Sequence, residues 1–215
     1  MVGQEYGHGP DGVDLVARRK MIADKSGTAS RFYAGGPNFP PRNPHMRGCT
    51  SVLRLLFDKH AGSDYAGEFV DLDGAPVHVF DCFALVNFLL CSAVPAESID
   101  KSLSLGGRPG RSTRTMHRNC ARHFTAQLEL LEPTIIVVQG RGVLQWMKIA
   151  FDGLSDEVVQ AIQINGCATR VLAFTHPSAH GKDNWGINDS TPYLRSVVAP
   201  GVQRVLEEDY RHTGN

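Results

Sequence analysis

The sequence predicts an α/β fold: a three-layer α/β/α sandwich with a central, mostly parallel four-stranded sheet. Thr134–Gly140 (TIIVVQG) and Arg170–Phe174 (RVLAF) are short apolar segments, typical of strands buried on both faces. Segments with helical apolar spacing lie between and around them. Because such strands alternate with helices along the chain, a parallel sheet covered by helices is favoured. The 215 residues are expected to form a single domain over 1–215.

The N-terminal half supplies the other two predicted strands. Met1–Pro10 (MVGQEYGHGP) starts apolar and becomes Gly-rich, which indicates a short strand entering a loop, or alternatively a frayed chain end. Val13–Asp24 has the spacing of an amphipathic helix, and Lys25–Arg47 is a predicted Pro- and Gly-rich loop. Cys49–His60 returns to helical spacing, and Val77–Asn87 (VHVFDCFALVN) is a predicted buried strand.

The C-terminal half contains more helix. Cys91–Arg114 is a second predicted loop, followed by a helix over Thr115–Leu131 and another over Gly142–Phe151. The pattern of Val158–Ile164 fits either a strand or a helix. Pro192–Glu208 is a predicted closing helix, broken at its internal Pro-Gly pair because proline removes a helical hydrogen bond.

Composition restricts the setting more than the activity. The 22 basic residues balance the 22 acidic ones, so total charge favours neither nucleic acid nor membrane, although a local basic patch remains possible. Five cysteines, an odd number and widely spaced, favour a reducing compartment over a secreted disulfide framework. No apolar run approaches the roughly 20 residues that span a bilayer, and no signal peptide is evident. We therefore expect a soluble, cytoplasmic monomer without a membrane partner.

Polar residues follow three of the predicted strands. Gln4 and Glu5 follow the first strand, Asn87 ends the second, and His176 and Ser178 follow the last. Since parallel strands end at one edge of a sheet, these groups could converge there. A carboxylate can activate water, an amide can read a planar heterocycle, and a histidine can stabilise a departing anion. Taken singly, each group has a more ordinary structural role, as a solvated carboxylate, a satisfied amide or a structural histidine.

This order of motifs resembles the uracil-DNA glycosylase superfamily. Gly3–Pro10 looks like its first motif, and Phe83–Asn87 is similar to the strand whose terminal Asn reads uracil. Phe174–Ser178 (FTHPS) matches the motif whose His stabilises the leaving uracil anion. Cys120–Gly140 resembles the family's helix followed by a Pro-led strand ending in Gly. Each motif is short, so the resemblance depends on their order over nearly the whole chain.

The resemblance implies a DNA glycosylase that hydrolyses the N-glycosidic bond of uracil or another deaminated base, as in base excision repair. Glu5 and His176 would be catalytic, and Gln4 and Asn87 would bind the base. Gly7 lies where the uracil-specific enzymes place a Tyr that excludes thymine, which weakens strict uracil selectivity. The alternative is a catalytically weak or inactive member that binds nucleic acid without excising bases. An α/β hydrolase is disfavoured because no Gly-x-Ser-x-Gly elbow is present.

An aromatic ring should stack on the base, and the resemblance leaves several candidates for it. The loop Lys25–Arg47 contains Phe32, Tyr33 and Phe39. The best match of the following segment instead places His45 at the stacking position. These alternatives stay open at the level of sequence.

Two segments are predicted to contact DNA. Lys101–His123 contains no acidic residue but five arginines that could bind phosphates: Arg108, Arg111, Arg114, Arg118 and Arg122. After His176 come Ser178, His180 and Lys182, in the loop that enters the duplex in the resembled family. Ser178 could instead cap a helix. His180 or Trp185 could act as the wedge that holds a flipped base, or Trp185 could belong to the core.

The cysteines are closest in layout to the iron–sulfur branches of the superfamily. Cys91 and Cys120 lie at the two downstream ligand positions of those branches, but the sequence starts on the first motif and lacks the upstream pair. Two cysteines cannot hold a cluster that takes four. No metal or cofactor is therefore expected. A 4Fe–4S cluster is the alternative if the protein extends upstream and supplies two more cysteines.

Overall fold

A computed structural model describes residues 2–3, 44–62, 66–88 and 113–213. These residues form helices and two sheets, so the predicted α/β class is confirmed. The predicted helix Val13–Asp24 lies outside them, as do most of the predicted loops Lys25–Arg47 and Cys91–Arg114.

The larger sheet is built around three long strands. These are β5 (Ile135–Gln139), β6 (Val159–Ile164) and β7 (Cys167–Phe174), with β5 parallel to β7 and β6 antiparallel to it. Two two-residue strands, β1 (Val2–Gly3) and β4 (Val86–Asn87), extend it in parallel, giving the order β4-β1-β5-β7-β6. The segment that the sequence left open, Val158–Ile164, is thus a strand.

Helices pack on both faces of β5 and β7. Alternate residues of these strands belong to two separate apolar clusters, as the period of two of a strand requires. One cluster includes α1 (Pro44–Leu56) and α4 (Ala199–Thr213). The other includes α2 (Arg114–Leu131) and α3 (Arg141–Ala150), both of which match their predicted bounds to within one residue.

The predicted strand Val77–Asn87 is wrong as a single element. Its start belongs to β3 (Ala75–His78), which pairs antiparallel with β2 (Phe69–Leu72), and only Val86–Asn87 joins the larger sheet. A 3-10 turn over Val79–Asp81 separates the two parts. At the end of β3, the largely buried His78 lies 3.0 Å from the buried carboxylate of Glu68, the residue before β2, so this contact joins the two ends of the hairpin.

The β2–β3 hairpin turns on Asp73 and Gly74, whose φ angles are 55° and 80°. Positive φ at both central residues is the type I′ geometry that Asp-Gly favours. A side chain at Gly74 would meet nothing within 4 Å, so backbone conformation alone decides a substitution there.

Gly74→Ala is therefore expected to lower the free energy of unfolding by about 1 kcal/mol, since alanine tolerates positive φ poorly. Gly74→Asn should cost less, because asparagine enters this region more readily. Urea denaturation of the two variants measures the difference. Equal losses would show that the turn does not constrain the backbone in this way.

Two helices also differ from prediction, one in where it begins and the other in having no break. Helix α1 begins at Pro44 and not at Cys49, since proline suits a first helical turn that needs no N–H donor. The closing helix is not broken at Pro200; it widens into a π-helical segment over Leu194–Val198 just before that residue. A π turn shifts the hydrogen-bond pattern, so the missing proline N–H and the ring are accommodated without a break.

Candidate functional site

The parallel strands end at a common edge of the larger sheet. Gly3 is in register with Asn87, and Gln139 is in register with Phe174. His176 follows two residues beyond β7. Three strand spacings separate β4 from β7, so the backbones of Asn87 and the His176 loop lie roughly 14 Å apart. This distance leaves room for one planar ring between an amide on one side and an imidazole on the other.

The loop that carries His176 is fixed by buried hydrogen bonds. Thr175 donates its N–H to the Tyr193 hydroxyl at 3.2 Å and its own hydroxyl to the Asp183 carbonyl at 2.7 Å. The Trp185 indole donates to the Thr175 carbonyl at 2.8 Å. Trp185 is fully buried, so its alternative role in the core is the one observed, and it is not an exposed wedge. These bonds hold the backbone on both sides of the histidine.

Ser178 determines which nitrogen of His176 carries the proton. Its backbone N–H lies 3.2 Å from His176 Nδ1, and its hydroxyl lies 2.8 Å from the same atom. A backbone N–H can only donate, so Nδ1 accepts and the proton of the neutral ring is on Nε2. Ser178 therefore does not take the alternative role of a helix cap, since the next short helix begins after His180 and the Ser178 hydroxyl contacts the histidine.

His45 stacks on His176. Their ring centroids are 5.1 Å apart and the ring planes are inclined by 13°, within the range of offset stacking. A third ring inserted between them would need a separation of roughly 7 Å, twice a van der Waals contact, so a ligand cannot be sandwiched there. Of the candidates for the stacking ring, His45 is the one within the described residues; Phe32, Tyr33 and Phe39 lie outside them.

Two glycines allow α1 to approach the His176 loop. A Cβ at Gly48 would lie 2.5 Å from Pro177 Cβ, so this helix turn packs directly on the proline that follows His176. A Cβ at Gly186 would overlap the Pro44 carbonyl oxygen at the start of α1. Without these close approaches, His45 in the first turn of α1 could not reach His176.

A buried polar chain lies beneath the histidine pair. Gln139, at the end of β5, is 1% exposed, and its Nε2 lies 3.0 Å from the Cys49 sulfur. That sulfur lies 3.8 Å from His45 Nε2, one helical turn away. His45 Nδ1 is buried and has no hydrogen-bond partner among the residues that the structure describes. Sequence reasoning missed Cys49 and Gln139; the signals were a polar residue closing an apolar strand and a Cys four residues after His45.

Burial keeps both histidines neutral near pH 7. Desolvation, followed by the charge of His176, lowers the pKa of His45 from 6.5 to about 4. Partial desolvation also lowers the pKa of His176, although its ring retains access to solvent. The pair therefore offers a neutral N–H donor at His176 Nε2 and an unused nitrogen at His45.

This shift predicts a pH dependence of stability. Above pH 6.5 His45 is neutral in both states, and its full contribution is present. As the pH falls from 6.5 towards 4, the unfolded chain takes up a proton that the folded chain does not, so stability is lost, by up to about 3 kcal/mol.

His45→Phe keeps an aromatic ring but removes this titration, so its free energy of unfolding should fall less steeply over the same pH interval. The slope that remains would come from His176 and His117, whose pKa values burial also lowers. Chemical denaturation at several pH values compares the two proteins. Parallel curves for the variant and the wild type would contradict the assignment.

The other predicted site residues divide into those that the structure describes and those that lie outside the described residues. Ser178, His180 and Lys182 are exposed on the His176 loop, and Arg114 is exposed at the first residue of α2. Asn87 is partly buried at the end of β4. The remaining predicted residues lie outside the described part of the chain: Gln4, Glu5, Phe32, Phe39, Arg108, Arg111 and Cys91.

Of the two cysteines at the resembled ligand positions, Cys120 lies within the described residues and Cys91 lies outside them. Cys120 is 5% exposed and faces the apolar side of α2. Among the residues that the structure describes, no group of three or more His, Cys, Asp or Glu side chains could hold a metal.

Comparisons with family models, curated proteins and solved structures found no match to this chain. Within the described ranges, no helix has the length and apolar character needed to cross a membrane.

Proposed function

We propose that this protein is a DNA glycosylase that hydrolyses the N-glycosidic bond of uracil or another deaminated base. The observation that carries the proposal is the His176 ring, neutral and with its proton on Nε2, beside the edge where the parallel strands end. When the glycosidic bond breaks, the base departs as an anion. A fixed neutral N–H donor stabilises such an anion without first having to lose or gain a charge.

The remaining roles follow from the strand ends. Asn87 would read the edge of the base with its amide donor and acceptor. Its backbone lies roughly 14 Å from that of the His176 loop along the edge of the sheet. Gln4 would assist it, and Glu5 would position the attacking water or stabilise the sugar cation. The register of Gly3 with Asn87 supports this, because Gln4 and Glu5 directly follow Gly3 in the chain.

His45 would supply the ring that stacks on the base. An offset stack against His176 leaves part of a ring face uncovered, and a base held in the plane of His176 could lie over it. Phe32 and Phe39 are the alternatives from the sequence. The neutral state of His45 suits this role, since a charged ring would be costly to cover with an apolar surface.

The DNA would lie across the exposed side of this edge. Ser178, His180 and Lys182 would meet the strand that carries the flipped nucleotide, with Arg108, Arg111 and Arg114 binding phosphates. The full fold of the proposal is a three-layer α/β/α sandwich with a mostly parallel central sheet. It is supported by the two apolar clusters on opposite faces of β5 and β7 and by the parallel pairing of β4, β1, β5 and β7.

Asn87→Ala tests the reading of the base. Single- and double-stranded oligonucleotides carrying uracil are incubated with the protein, and abasic sites are revealed by alkaline cleavage. The wild type should generate abasic sites, and the variant should lose at least about 10-fold in rate, because the leaving base loses its paired hydrogen bonds. Asn188→Ala, at an exposed Asn beyond the His176 loop, is the control. Absence of abasic sites with the wild type would overturn the proposal.

The second candidate is a member of the same class that binds nucleic acid without excising bases. The specific observation in its favour is the imidazole of His45 in the proposed stacking position, together with Gly7 at the selectivity position. Tight binding of the uracil oligonucleotide without abasic sites would favour this second candidate.

A further inference from the structure

Three arginines form a ridge on α2. Arg114, Arg118 and Arg122 are spaced four residues apart and all three are exposed. Residues at this spacing lie on one helix face, about 6 Å apart along the axis, so the ridge is about 12 Å long. The buried residues of α2, among them His117 and Phe124, face the sheet instead.

Within the described chain, four other basic residues have a carboxylate partner, and the three ridge arginines do not. Arg47, Lys148, Arg170 and Arg204 each lie within 4.0 Å of a carboxylate, as surface cations commonly do. Among the described residues, none of the three ridge arginines makes such a pair, and Arg122 instead contacts the neighbouring His123. The first carboxylate of α2 is Glu129, beyond the end of the ridge.

The position of Arg114 is unfavourable for the helix itself. The N-terminal turn of a helix disfavours cations, and α2 has no acidic residue there to compensate. Thr113 already caps the first turn by accepting from the Met116 N–H at 3.2 Å. The charge thus serves no purpose in stabilising α2, which favours a binding role.

The ridge starts beside the candidate site. Phe88 directly follows Asn87, and its ring lies 6.0 Å from that of His117 in the first turns of α2. Because α2 leads through a short connection into the start of β5, it begins at the edge where β5 ends. The ridge therefore runs from the Asn87 end of that edge down the outer face of the domain.

We propose that this arginine ridge binds the phosphates of one nucleic-acid strand as that strand leaves the candidate site. Guanidinium groups match phosphate geometry with two hydrogen bonds each. The flanking exposed residues, Thr115 and Asn119, are polar, which fits a hydrated backbone better than insertion into a lipid surface. The inference rests on the proposed function for its polyanion, and it adds a strand path that extends beyond the flipped nucleotide.

The experiment measures binding of an undamaged single-stranded oligonucleotide by fluorescence anisotropy over a range of salt concentrations. For the double variant Arg118→Ala/Arg122→Ala, the slope of log K against log salt should become shallower by about 1.4, or about 0.7 per lost phosphate contact. Arg118→Lys/Arg122→Lys should retain most of the slope. Arg195→Ala/Arg204→Ala removes the same charge from exposed positions before and within α4, and should leave the slope unchanged.

Circular dichroism and thermal melting confirm that each variant folds. An unchanged slope in the ridge variant, or an equal loss in the α4 control, would overturn the inference. So would ridge-dependent binding to phosphatidylserine vesicles without ridge-dependent binding to the oligonucleotide. This result does not depend on base excision. If the protein excises no base but the slopes change as expected, only the glycosylase proposal is refuted. If it excises bases but the ridge variant and the wild type have equal salt slopes, only the ridge proposal is refuted.

Discussion

Replacement of His176 by alanine is expected to slow base excision by about 100- to 1,000-fold, the usual cost of removing one donor to a developing anion. The structure gives the physical reason. Ser178 holds the Nδ1 side of the ring, so the Nε2–H is directed by a fixed bond and not by a rotating side chain. Burial lowers the pKa of the ring, which keeps it a neutral donor at the pH of the assay. Single-turnover kinetics on a uracil oligonucleotide measures the loss in the chemical step.

Two further variants separate this role from a general loss of structure. Ser178→Ala removes the hydroxyl but keeps the backbone N–H on Nδ1, so it should cost less than His176→Ala. His60→Ala removes an exposed histidine beyond the opposite end of α1 and should have no effect on the rate. Equal rates for His176→Ala and the wild type would mean that His176 does not stabilise the leaving base.

The sequence predicted those elements whose own residues determine them. Ile135–Gln139 and α3 have strong apolar periodicity, and their ends match within a residue or two. The prediction of a single strand over Val77–Asn87 was wrong, because this apolar segment belongs partly to a hairpin and partly to the edge of the larger sheet. The Asp-Gly pair at 73–74 would have indicated the hairpin.

In the candidate site, too, features that depend on neighbouring residues were predictable, and contacts between distant residues were not. The position of His176 just after a strand could be predicted, because the end of the apolar segment at Phe174 is visible in the neighbouring residues. The contact between Cys49 and Gln139 joins residues 90 positions apart, so no local pattern encodes it. The stack of His45 on His176 likewise depends on how closely α1 approaches another loop. Such contacts follow from packing, and a single sequence carries only indirect signs of them.

The close approach itself leads to the largest stability effect we expect, at Gly186. A Cβ at this position would overlap the Pro44 carbonyl oxygen at the start of α1 and would lie 3.0 Å from the Pro177 carbonyl oxygen. Both neighbours are backbone atoms, which cannot move aside by changing a rotamer. Gly186→Ala should therefore lower the free energy of unfolding by more than about 3 kcal/mol, or prevent folding.

Gly142→Ala is the matched control for this effect. Gly142 lies in α3, and a Cβ there would meet nothing within 4 Å, so alanine should be neutral or stabilise the helix by up to about 1 kcal/mol. If Gly186→Ala folds, the displaced α1 should also separate His45 from His176. The pH dependence of its stability between pH 6.5 and about 4 should then weaken, because His45 would lose the burial that lowers its pKa. A variant as stable as Gly142→Ala would show that α1 does not rest on this loop. The contact between His45 and His176 would then have to depend on something other than this close approach. The two glycine substitutions therefore test how the site is assembled as well as how the fold is packed.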